Sequence, residues 1–210
     1  MYTLFYSPGT ASMATHLALL ELGVPYRLSL VDFERKAQRE PEYLALNPGG
    51  IVPTLVDEDG KPMIESAAIL INLAERHPDP ALAPLAGDPL RAQWVEWLAV
   101  LANGLGGAYR QWFYPGDVGA TVHSEVAALA IRSRVEAYWD RLERHLAANG
   151  PYLLGERFSS ADLMLTMYMR WSRNMPRKAL EWPALARLAA EVKARPSWKK
   201  LYELEGLTEW

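Results

Sequence analysis

Asn47-Pro-Gly-Gly-Ile-Val-Pro-Thr-Leu-Val-Asp-Glu-Asp-Gly-Lys-Pro-Met-Ile-Glu-Ser66 is the stretch whose reading decides the fold. The Val52-Pro53 step leads into a short apolar strand, Thr54 to Val56. A turn at Asp59-Gly60 brings the chain back through Pro62-Met63-Ile64, and Glu65-Ser66 then opens a helix. An X-Pro bond loses most of the usual trans preference, so a cis bond is cheap at Pro53. Proline also removes a donor, which leaves Val52 at a strand edge with backbone free to pair with something extended. The helix end nearby offers unpaired amides and a partial positive charge suited to a carboxylate. An open edge beside such a helix end suits a small acidic peptide.

Upstream, strand and helix signals alternate. Tyr2 to Tyr6 reads as a strand, Ser7-Pro8-Gly9-Thr10 as a turn, and Ser12 to Leu22 as a helix stopped by Gly23. Tyr26 to Val31 is a second strand, Asp32 to Glu40 a charged loop, and Pro41 to Leu46 a short helix with proline in its first turn. After the hairpin, Ser66 to Arg76 is helical with Ile69, Leu70 and Leu73 on one face. This order predicts an α/β unit with a mixed sheet over residues 1–77. Residues 78–89, with prolines at 78, 80, 84 and 89, read as a linker. Residues 90–210 carry only helical signals: Leu90 to about Trp112, about Thr121 to Ala148, and helices opening at Ser159, Trp182-Pro183 and Pro196. An all-α bundle is expected there.

With 210 residues, half of them hydrophobic, the chain can bury a substantial core in one or two domains. A net charge of -3 gives no electrostatic reason to expect nucleic acid or an anionic membrane as partner. The absence of cysteine excludes disulfides, thiolate metal sites and redox chemistry on the protein's own sulfur; no metal site is expected. Met1 to Tyr6 reads as a strand rather than a signal peptide, and no apolar run approaches bilayer-spanning length, so a soluble cytoplasmic protein is expected. Eight tryptophans and ten tyrosines supply packing area and candidate walls for flat apolar ligands.

Taken together, the Tyr6-Ser7-Pro8-Gly9 turn, Asn47 to Leu55, Glu65-Ser66, the proline-rich linker and Gly155-Glu156-Arg157-Phe158-Ser159-Ser160-Ala161-Asp162 resemble the glutathione transferase superfamily. The resemblance covers essentially the whole chain. It implies a thioredoxin-like α/β N-terminal domain followed by an all-α helical bundle, a homodimer, and glutathione as co-substrate. It further implies that Val52, before a cis Pro53, pairs its backbone with the cysteinyl residue of glutathione. Glu65 and Ser66 then take the γ-glutamyl end, Glu65 at the ammonium and Ser66 with the helix-end amides at the carboxylate. Lys36 is a candidate for the glycyl carboxylate. Ser159 and Asp162 read as a structural capping box worth about 1 kcal/mol.

Such enzymes activate the glutathione thiol, whose pKa of roughly 8.5 leaves little thiolate at neutral pH. A hydroxyl donor aided by a helix N-terminus favours the thiolate. Candidates are Ser12 first, Thr10 second and Tyr6 third; His16 reads as a residue that packs or hydrogen-bonds locally. The turn is most similar to the bacterial beta class, where a cysteine follows Pro-Gly-Ala. Here Ala11 stands in that position, and Gly106 falls where a partner histidine is expected, so a mixed disulfide between protein and glutathione is impossible.

Gly104, Gly106 and Gly107 lie inside a predicted helix, at about 1 kcal/mol each against alanine. Tyr109, Arg110, Trp112, Phe113 and Tyr114 follow. Gly106, Tyr109, Arg110 and Phe113 are the candidates for a second-substrate site for a small hydrophobic electrophile, with Trp171 and Met175 as lesser contributors; aromatics filling a gap in the helix are the alternative. The leading reading is a glutathione transferase of detoxifying or catabolic kind. Glutathione-dependent β-aryl ether cleavage, a maleylacetoacetate-type isomerase and a non-catalytic interaction module share the resemblance.

Overall fold

The computed structural model describes all residues except Pro80, Ala81 and Glu209. Pro80, one of the four linker prolines, therefore lies outside the described residues. The chain packs as two units. One joins Met1–Arg91 with Val192–Trp210, and the other is Ala92–Glu191. The sequence alone runs the helical part on to residue 210, whereas Val192–Trp210 packs within the first unit.

The first unit is built on a four-stranded sheet, with β1 (Tyr2–Tyr6), β2 (Tyr26–Leu30), β3 (Thr54–Val56) and β4 (Pro62–Ile64) in the order β2-β1-β3-β4. β1 runs parallel to β2, with Leu4 opposite Leu28, and antiparallel to β3, with Leu4 opposite Leu55. Leu55 in turn faces Met63 of β4. A parallel pair needs a crossover, which α1 (Ser12–Leu22) supplies. α1 ends where Gly23 takes the left-handed conformation at φ 62. α2 (Pro41–Leu46) and α3 (Ser66–Arg76) follow β2 and β4.

Eight consecutive α1 residues, Ser12 to Leu19, are buried. A helix enclosed on every side needs neighbours all round, and α1 has the sheet, α3 and α9 (Pro196–Glu205). α9 contributes Trp198 and Leu201 to this core. It lies antiparallel to α1. At one end Arg195 makes two bonds of 2.7 Å to the Glu21 carboxylate, which also accepts from Ser197. At the other end Glu205 reaches His16 and Gly9.

The second unit holds most of α4 (Arg91–Ala99), a π-helical stretch Val100–Gly106, α5 (Gly107–Phe113), α6 (Glu125–Asn149), α7 (Ser160–Trp171) and most of α8 (Pro183–Ala194). α6 begins four residues later than the sequence suggests because Ser124 caps it, accepting from the Ala127 amide at 3.2 Å. Residues 160–170 of α7 are all buried, which makes α7 the centre of the bundle. The capping box at its start is formed, and the Asp162 carboxylate also accepts from the Leu153 amide at 2.8 Å. Glu143 receives the Ala184 and Leu185 amides at the start of α8.

Candidate functional site

Between β1 and α1 the chain turns on its own hydroxyls. Thr10 Oγ1 donates to the Ser7 carbonyl at 2.6 Å, and Ser12 Oγ donates to the same oxygen at 3.1 Å. The two hydroxyls lie 3.0 Å apart, and the Ser7 amide donates to Ser12 Oγ at 3.4 Å. The N-cap residue of α1, Ala11, makes no side-chain capping bond, so the helix's positive end opens onto this turn. Ser12 is completely buried and holds the turn from within, whereas Thr10 is half-buried. Of this pair, Thr10 keeps exposed surface and Ser12 has none. Burial, and then the negative charge of Glu205, raise the pKa of Tyr6, so its hydroxyl stays protonated at neutral pH.

α3 starts beside the same turn. Ser66 Oγ donates to the Ala11 carbonyl at 3.1 Å. Glu65 is exposed and has φ 70 and ψ 111, a backbone state that costs of order 1–3 kcal/mol in a residue with a side chain. Its side chain does not cap α3, so the helix end retains its capacity for an anion.

The Val52–Pro53 bond is cis, and Val52 lies beyond the β1–β3 ladder, whose register runs to Thr54. Residues that sequence reasoning passed over fix the loop before it. The Tyr43 hydroxyl donates to the Ile51 carbonyl at 2.6 Å and lies 2.9 Å from Thr54 Oγ1. Asn47 Nδ2 donates to the same carbonyl at 2.8 Å and to Thr54 Oγ1 at 3.1 Å. Burial pushes the Tyr43 pKa up, against the partial offset of its bonds to Thr54 and Asn47, and so preserves it as a donor. The one sequence signal for Tyr43 is its place four residues before Asn47 on a helical turn. Val52 and Tyr43 cluster with Val31, and Phe33 and Ala37 pack against them. Lys36, between those last two, is exposed with a left-handed φ of 58.

The remaining candidates lie in the second unit. The Tyr109 ring lies nearly parallel to those of Phe113 and Tyr168, with centroids at 5.7 and 6.1 Å and ring planes 12° and 3° apart. Trp171 stands edge-on to all three, at 81–90°. Tyr109 is wholly buried, which raises its pKa strongly, while Phe113 is 41% exposed. Arg110 is held by Asp117 through bonds of 2.5 and 3.0 Å and lies over the Tyr114 ring. Gly106 opens no space for a ligand: a Cβ there would lie 2.5 Å from the Tyr168 hydroxyl, and one at Gly104 equally close to that of Tyr138. These two glycines admit the unit's own tyrosines.

The geometry can be set against known proteins. Residues 10–76 match the family model described as "Glutathione S-transferase, N-terminal domain", and residues 108–203 match "Glutathione S-transferase, C-terminal domain". The chain is 29% identical to glutathione S-transferase GstA of Escherichia coli O157:H7, over 97% of this chain and 98% of that protein. It is 32% identical to glutathione S-transferase GST-4.5 of Xanthomonas campestris pv. campestris, over 80% and 81%. A glutathione transferase homologue from Sulfitobacter, crystallised with bound glutathione, superposes with a TM-score of 0.88 at 31% identity, over 99% of both chains.

Proposed function

The chain belongs to the glutathione S-transferase family, and from that membership we propose that Thr10 activates the glutathione thiol for attack on a hydrophobic electrophile. The observation that carries this is the shared Ser7 carbonyl. Two hydroxyls donate to it, so Thr10 can turn its proton to sulfur while Ser12 keeps the carbonyl satisfied. A donor at the positive end of α1 favours the thiolate over the thiol. The thiol proton leaves to solvent, the sulfur lone pair forms the new bond to carbon, and the electrophile's leaving group departs with its electron pair.

Glutathione is the co-substrate. Its γ-glutamyl carboxylate is assigned to the uncapped end of α3 at Ser66, and its ammonium to Glu65. The Ser66 hydroxyl donates to Ala11, so the assignment for the carboxylate rests on the helix-end amides. The cysteinyl backbone is assigned to Val52, next to Pro53. Lys36 is assigned to the glycyl carboxylate because the residues on either side of it pack against the Val52 cluster. Among the second-substrate candidates, exposure selects Phe113, with half-buried Trp171 beside it, as the aromatic surface for a flat electrophile. Tyr109 and Gly106 support that surface from beneath, and Arg110 fixes the segment that follows.

No described helix is long and apolar enough to cross a membrane. We propose a homodimer acting on small molecules in the cytoplasm, with detoxification as its role; light scattering of the purified protein checks the assembly. Retention on glutathione-agarose and turnover of 1-chloro-2,4-dinitrobenzene test the function. Thr10→Val is expected to lower kcat by about 10- to 100-fold, the worth of a hydrogen bond to a charged group, with retention kept. Full activity in that variant moves the donor to Tyr6 or Ser12, and retention without turnover by the unaltered protein makes it a binding module.

A further inference from the structure

We propose that Glu205, acting through the Gly9 amide and anchored by His16, is the positioning residue for the thiolate-binding turn. The proposal rests on the reading that this turn meets the sulfur. Glu205 stands 196 residues from Gly9 in sequence, yet its Oε2 accepts from the Gly9 amide at 2.9 Å. Its Oε1 lies 2.7 Å from His16 Nδ1, and neither side chain of that pair has any exposed surface. His16 Nε2 lies 2.9 Å from the Tyr26 hydroxyl, which extends the chain of bonds to the first residue of β2. The Gly9 amide is thereby tied to a strand and two helices rather than left to a surface turn.

The physical reason lies in what burial demands. A carboxylate taken out of water needs both oxygens satisfied, and here one goes to α1 and the other to the turn. Gly9 has φ 69, a left-handed state open to glycine, so the amide of the turn can be aimed at α9. α9 cannot slide along α1, because Arg195 and Ser197 hold Glu21 at the far end. Thr10 follows Gly9 directly. A shift of the Gly9 amide therefore carries the Thr10 hydroxyl with it.

The test uses the full-length protein with glutathione and 1-chloro-2,4-dinitrobenzene. Glu205→Leu is expected to lower kcat by about 100-fold, the effect of a misplacement on the order of 1 Å, with the KM for glutathione changed far less. The ultraviolet thiolate absorbance of its glutathione complex is expected to titrate about one unit higher, since the donor no longer favours the charged form. Glu205→Gln is expected to recover most of the rate. Its carbonyl can accept from Gly9 while its amide donates to His16 Nδ1. Glu205→Asp, which keeps the charge but withdraws it by one methylene, serves if the leucine variant does not fold. It is expected to show the same two changes in weaker form.

A folded Glu205→Leu or Glu205→Asp protein with unchanged kcat and unchanged thiolate titration overturns the proposal and leaves Glu205 a packing residue. Thr10→Val measured alongside separates the two ideas. If Thr10→Val is impaired and the Glu205 variants are not, the positioning role alone fails. If Thr10→Val is fully active, the sulfur donor is reassigned, and the thiolate titration of the Glu205 variants still decides whether Glu205 places the turn.

Discussion

Gly50 shows how much a single backbone position carries. Its φ is 58, and a Cβ there would stand 2.8 Å from the Gln38 carbonyl oxygen and equally near Arg39. Gly50→Ala is expected to destabilise the protein by about 1–3 kcal/mol, through a disfavoured backbone state and a forced displacement of the 38–39 turn. Urea unfolding measures this, and weaker retention on glutathione-agarose is expected with it. Around this glycine the sequence is legible residue by residue, because Asn47 to Ser66 acts through local backbone chemistry: a proline, tight turns and a helix start. Ser12 and Thr10 are legible as a pair of hydroxyls but their burial is not, since only the fold shows that the first is enclosed and the second half-buried. Glu205 is not legible at all. A carboxylate near the end of an amphipathic helix reads as solvated, and nothing in the sequence points from it to Gly9 or gives His16 a partner.

At the scale of elements, the pairing of α1 with α9 depends on Glu21. Burial alone raises its pKa, but the hydrogen bonds from Arg195 and Ser197 and the charge of Arg195 outweigh that and hold it below its ordinary value. The unfolded chain therefore binds the proton first as pH falls. The stabilising effect is complete above the ordinary glutamate range and is lost as pH drops through the lowered folded value. Thermal melts from neutral pH to about pH 3 are expected to show this loss, and Glu21→Gln is expected to shrink it while lowering the melting temperature at pH 7.

The glycine-bearing helix gives a second contrast. Periodicity finds a helix from Leu90 to about Trp112 but sees neither its π-helical segment nor the tyrosines, Tyr138 and Tyr168 from two other helices, that sit against Gly104 and Gly106. Gly106→Ala is expected to destabilise by about 1–3 kcal/mol through overpacking against Tyr168. At Gly107 an added Cβ meets nothing within 4 Å. Gly107→Ala is therefore expected to stabilise by about 0.5–1 kcal/mol, and paired urea titrations read both signs.

For the molecule as a whole, the strand and helix order was readable because each element carries its own period, caps and turns. The extent of the first unit was not, since its closing segment, Val192–Trp210, is separated from Met1–Arg91 by the whole of Ala92–Glu191. Residues 1–91 alone lack Trp198 and Leu201 against α1. That fragment is expected to melt without a cooperative transition and to pass through glutathione-agarose. The same fragment joined to residues 192–210 by a flexible linker is expected to regain both, as circular dichroism and the column would show.

The same discontinuity sets a clock on synthesis. At about 5–20 residues per second, on the order of ten seconds separate the emergence of residue 91 from that of residue 205. Throughout that interval the Gly9 amide waits for its acceptor and His16 for its carboxylate. A chain released early carries the turn proposed to meet the sulfur but not the carboxylate that bonds its Gly9 amide, so an interrupted translation product holds the residues of that turn without the bond that ties them to α9.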